Sequence, residues 1–214
     1  MGLYEQYFEQ YAEGFSFEPS GHITAQLFDI EIKIDVFEHN SPYAHREWAQ
    51  VSLKKGNLTY ECRFCDRHVY QHGFYPVKMN GQQMILFSKT LYGFVLLNVD
   101  TLVVEYEYFP KHVLASGEDF EESFIVCSVK QLDHIMFFSG CYWACPSGYF
   151  AFDYDKKLFL DLSKQYDVFP ADEVVIQDDT IVIRCTDKNL PPKEAAVFKQ
   201  DLINDIIQYG TADF

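Results

Sequence analysis

The chain has 214 residues, 48% of them hydrophobic and 17% aromatic, enough to build a substantial core without staples. Its 32 acidic residues against 17 basic ones give a formal net charge of −15. Such a surface repels phosphate backbones and anionic headgroups, and with Lys54-Lys55 and Lys156-Lys157 as isolated basic pairs, nucleic acid is excluded as a partner. No apolar run approaches the ~18 residues of a membrane span, so no membrane partner is expected.

The start, MGLYEQYFEQ, lacks the basic and apolar regions of a secretory signal, and Gln6 departs from the myristoylation pattern. The expected compartment is the cytoplasm, with six cysteines as reduced thiols. Leu3, Tyr4, Tyr7, Phe8 and Tyr11 recur at helical spacing and predict a short amphipathic helix ending near Gly14. After Pro19-Ser20-Gly21 the period changes to two. Ile30, Ile32, Ile34 and Val36 alternate with Asp29, Glu31, Lys33 and Asp35, the pattern of a strand with one wet face.

Strand-like runs continue to about residue 185, broken by Asn-, Asp-, Gly- and Pro-containing turns. Pro191-Pro192 then predicts a helix over 192–209, with Ala195, Phe198, Leu202, Ile203, Ile206 and Ile207 as its buried stripe. No linker-like stretch divides the chain, so a single domain over 1–214 is expected.

Segments recur within it. Val129–Phe138 and Val175–Arg184 superpose without a gap, sharing Val, Gln, Asp and Ile, and Val77–Ser88 matches once one residue is allowed for. Phe94–Glu105 likewise corresponds to Tyr149–Leu160, each an apolar strand, an acidic turn and a second strand. Four up-and-down strands every ~45–50 residues suit propeller blades. The expected fold is all-β with short N- and C-terminal helices. Its antiparallel meander units cover roughly 21–65, 66–110, 120–165 and 172–190, in a propeller-like stack; the alternative is a β-sandwich. Open sheet edges in such a stack call for protection, and a homodimer is one way to provide it.

Cys62, Cys65, His68 and His72 form the densest set of metal-capable side chains. Thiolate and imidazole suit zinc, and Cys-x2-Cys is a common knuckle spacing. Against this, Leu58, Tyr60, Cys62 and Phe64 alternate as one strand face, which turns Cys65 the other way. The stretch Gly140-Cys141-Tyr142-Trp143-Ala144-Cys145-Pro146 lengthens a strand connection by about four residues. Tyr142 and Trp143, with Cys141 and Cys145, read as a binding surface or as an aromatic plug over the sheets. Asp153/Asp155 and Asp178/Asp179 read as turn formers, with weak calcium binding as the alternative. His134, set against Thr180 in the repeat, reads as a surface residue.

The GCYWACP stretch resembles one found in uncharacterised bacterial β-rich, propeller-like proteins. The resemblance implies the β-repeat fold and brings no activity with it. No nucleophile elbow, phosphate loop, H-E-x-x-H or dinucleotide fingerprint occurs. The sequence therefore points to a non-enzymatic cytosolic module that binds a protein or small ligand. One alternative is a zinc-binding protein or metal-dependent hydrolase built on the Cys62–His72 cluster. Another is an enzyme acting on a sugar or other small polar ligand, with carboxylates converging on Trp48 or Trp143.

Overall fold

The branched side chains that alternate from Ile30 to Val36 line one face of β2 (Ile30–Asn40), and all four are buried while Glu31 and Lys33 are exposed. That apolar stripe sets the first sheet, in which β1 (Gly21–Leu27), β2, β3 (His45–Lys55) and β4 (Leu58–Cys65) pair in chain order, each antiparallel to the last. The computed structural model describes residues 3–11, 18–40, 45–65, 73–90, 93–109, 124–142, 147–168, 170–171, 173–186, 189 and 191–212.

Two further meanders have four strands each. One holds β5 (Tyr75–Met79), β6 (Gln82–Phe87), β7 (Phe94–Asn98) and β8 (Val104–Tyr108); the other holds β9 (Phe124–Leu132), β10 (Ile135–Tyr142), β11 (Ser147–Asp153) and β12 (Leu158–Asp161). The last has three strands, β13 (Glu173–Gln177), β14 (Thr180–Cys185) and β15 (Lys193–Phe198). All four sheets are antiparallel and open. Three helices accompany them among the described residues: α1 (Leu3–Tyr11), the single turn α2 (Leu162–Gln165) and α3 (Lys199–Tyr209). None is long and apolar enough to cross a membrane.

The contacts divide the chain into two compact units, Met1–Glu118 and Asp119–Phe214. In the first, Ile32, Ile34, Val51 and Phe64 of the β1–β4 sheet pack against Ile85, Phe87, Val95 and Leu97 of the β5–β8 sheet. Phe64, Phe74 and Phe87 lie within 6.0 Å of one another, centroid to centroid, at its centre. In the second, Ile135, Phe137 and Ala151 join Val174, Ile181 and Ile183, and Leu202 and Ile206 of α3 close the cluster.

The helix expected from residue 192 begins instead at Lys199. Lys193–Phe198 alternates in burial, with Val197 inward and Glu194, Ala196 and Phe198 outward, so it adds a strand to β14 before the helix starts. Phe198, assigned to a buried helical stripe, is 65% exposed as a result.

Tight turns join the hairpins. Phe28, Gly56, Asn80, Asp133 and Asp178 each open a two-residue connection with φ between 50° and 56°, the left-handed geometry that two-residue hairpins require. These turns correct the repeat register. Asp133 corresponds to Asp178, one residue off the gapless match, and His134 to Asp179 rather than Thr180.

Candidate functional site

Helix α1 presents Tyr4 and Phe8, four residues apart and so on one face, to the side of β4 that carries Cys65. Both rings are buried. Phe8 meets the Trp48 indole edge-on at 5.3 Å, and Trp48 stacks on Phe37 at 4.0 Å with planes 6° apart. The Arg63 guanidinium lies 4.0 Å from the Phe8 ring centre and 3.3 Å from the Glu9 carboxylate, tying the helix to the strand a second time. The Tyr4 hydroxyl donates to the Arg63 carbonyl, with the Cys65 sulfur 3.7 Å away.

Among the described residues β4 is the edge strand of its sheet. The Cys65 N–H points outward and donates to the Lys89 carbonyl at 2.7 Å. Because an antiparallel strand alternates the direction of its backbone groups, the N–H groups of Arg63, Glu61 and Thr59 also point away from β3. Beside this row lies a cleft of about 510 Å³, walled by Tyr4, Tyr60, Cys62, Glu61, Lys89 and Glu107.

Lys89 is the buried cation of the site, 7% exposed. Its ammonium pairs with Glu107 and sits 4.2 Å above the Tyr4 ring, the compensation a buried charge needs. Burial pushes the Cys62 thiol up to about 12, a rise that Lys89 and a hydrogen bond with Tyr60 only moderate. Burial, reinforced by the neighbouring thiols, likewise holds the Tyr4 phenol above its ordinary range, and burial next to Cys62 does the same for Tyr60. The cleft therefore offers neutral hydroxyl and thiol groups at physiological pH. Its charge comes from Glu5, Glu61 and Glu107 against Arg63 and Lys89, both already paired with glutamates. The balance is negative.

The residues singled out in the sequence are distributed differently. Cys62 and Cys65 leave opposite faces of β4. Cys62 packs with Tyr60 against the core shared by the first two sheets, and Cys65 is enclosed by Tyr4 and Phe8. The unbroken pairing of β4 with β3 keeps them apart, so this Cys-x2-Cys does not converge as a zinc knuckle requires. His68 and His72 lie outside the described residues, as do Trp143 and Cys145. Cys141 and Tyr142 end β10, where Cys141 pairs with Ser147 and Ile125. β10 and β11 share seven paired positions, from Ile135↔Asp153 to Cys141↔Ser147, where β6 and β7 share four. Trp48, proposed as a ligand platform, is instead packing between Phe8 and Phe37.

Sequence reasoning missed the cleft itself. The Tyr4/Phe8 stripe was visible as a helix, but its seat on β4 and the placement of Lys89 over Tyr4 depend on contacts 59 and 85 residues apart in the chain. Compared with known proteins, the chain matches no family model, no curated sequence and no solved structure.

Proposed function

We propose that this protein is a non-enzymatic binding module whose β4 cleft receives an extended, positively charged peptide segment. The observation that carries this reading is the outward Cys65 N–H, which by alternation along β4 turns the N–H groups of Thr59, Glu61 and Arg63 outward too, beside a cleft with surplus carboxylates. An incoming strand uses main-chain hydrogen bonds for affinity and alternate side chains for specificity. Lysine or arginine side chains of the partner reach Glu5 and Glu61, and their stems lie along the part-exposed Tyr60. Neutral phenols and a thiol whose pKa burial raises to about 12 supply contact rather than nucleophilic chemistry.

The same reading places the protein in a reducing cytoplasm, which suits the unbridged thiols of Cys62, Cys65 and Cys185. It also treats the consecutive meanders as copies of one propeller-like repeat, supported by the matching turns at Asn98 and Asp153.

Calorimetric titration with a short alternating Lys/Thr peptide, and with a Glu/Thr peptide of equal length, tests the function. The basic peptide binds, and more weakly as salt rises. Thr59→Pro removes one outward donor from an edge position that tolerates proline, and weakens binding about 3–10-fold. Equal binding of both peptides, or no binding of either, contradicts the proposal.

A further inference from the structure

A second site lies in the other compact unit, where the turn between β9 and β10 meets the turn between β11 and β12. Asp153 ends β11 and is fully buried. Its Oδ1 accepts the N–H groups of Asp155 at 2.9 Å and Lys156 at 3.0 Å, which shapes the turn. Its Oδ2 is also buried and accepts no hydrogen bond. The neighbouring turn aims His134 at it, with Nε2 3.6 Å from Oδ2. That turn is held in place by the Tyr154 N–H, which donates to the His134 carbonyl at 2.9 Å.

The β7–β8 turn shows what Asp153 does beyond shaping the chain. There Asn98 Oδ1 accepts from Asp100 at 2.9 Å and Thr101 at 3.2 Å. Leu102, at φ 52°, donates back to the Asn98 carbonyl, as Lys157, at φ 57°, does to Asp153. The turn thus needs one side-chain oxygen only. In Asn98 the remaining atom is an amide nitrogen that donates to Gln82 at 3.4 Å. In Asp153 it is a buried carboxylate oxygen that accepts no hydrogen bond, which is unfavourable unless a cation faces it. The nearby Lys199 does not supply that cation, because its ammonium pairs with Asp133.

We propose that His134, Asp153 and Asp155 bind a divalent transition-metal ion of the zinc type. One ligand atom from each residue lies within 4.8 Å of the other two. A separation of 3.6 Å between Nε2 and Oδ2 is too long for a hydrogen bond. It is close to the ~3.4 Å between two ligands that each sit ~2.1 Å from one tetrahedral ion. Imidazole with carboxylate selects zinc and its neighbours over calcium, which takes 6–8 oxygens. Three protein ligands, with the histidine partly buried and Asp155 exposed, leave the remaining position to water. The ion joins two hairpin turns, and the inference is independent of the peptide cleft.

The test is titration of the chelator-stripped full chain with Zn²⁺ and with Co²⁺. One ion binds, the thermal midpoint rises, and the Co²⁺ complex lacks thiolate charge-transfer absorption because its ligands are nitrogen and oxygen. Asp153→Asn keeps the turn, as Asn98 does in its own sheet, and lowers affinity at least ~100-fold. His134→Gln is the second variant should the first fail to fold, and it weakens binding to a similar degree. Three results overturn the site: no ion bound, uptake unchanged in both variants, or a thiolate band that disappears in Cys62→Ser.

Discussion

At Phe28 an aromatic side chain opens a hairpin turn with φ 55°, where a Cβ is crowded against the backbone. The ring is 45% exposed and returns little packing for that strain. Phe28→Asn, which tolerates the left-handed region, therefore stabilises the protein by about 0.5–1 kcal/mol in denaturant titration. Cys62 makes the opposite kind of prediction. Its folded thiol keeps a proton up to about 12 against an ordinary value of 9.0, so the folded state binds more protons across that window. Stability is then fully present below pH 9 and falls as pH rises towards 12, with the raised Tyr4 and Tyr60 phenols acting in the same direction. Alkylation kinetics check the cause: Cys62 reacts at pH 8 far more slowly in the folded chain than in urea.

The elements show where the alternation of side chains suffices as a guide and where it does not. Ile30 to Val36 announced β2 because half-burial imposes period two, and Asp153 announced a turn because its short carboxylate caps backbone N–H groups. Pro191-Pro192 misled because proline opens a strand as readily as a helix, and the alternation of Lys193–Phe198 decides between them. The length of the β10–β11 ladder, which runs to Cys141↔Ser147, was not legible, because the extent of a ladder depends on the pairing partner. His134 remained hidden as a site residue because its neighbour Asp153 sits across a sheet register, not along the chain. Gly93 offers a test of this level. At φ 79° a Cβ there would stand 2.2 Å from the Tyr108 carbonyl oxygen of β8. Gly93→Ala accordingly costs about 2–4 kcal/mol, measured by chemical unfolding, and loosens the β7–β8 edge.

For the whole molecule, a net charge of −15 spread over 214 residues favours cationic partners at long range and is screened by salt. The mostly antiparallel β character followed from aromatic and branched residues at period two. The β4 cleft did not follow, because it needs α1, the outer side of β4 and the buried Lys89–Glu107 pair together. Each of those parts is ordinary in the sequence. Their convergence gives backbone donors a charged, aromatic border and makes an edge strand into a candidate receptor for another strand.

Amide hydrogen exchange, read residue by residue with and without the Lys/Thr peptide, tests that claim most directly. The account predicts slowed exchange at Thr59, Glu61 and Arg63, whose N–H groups face outward. The N–H groups of Tyr60 and Cys62, already turned towards β3, should change little. Peptide binding that leaves Thr59, Glu61 and Arg63 unprotected, or that protects a different strand, would contradict it.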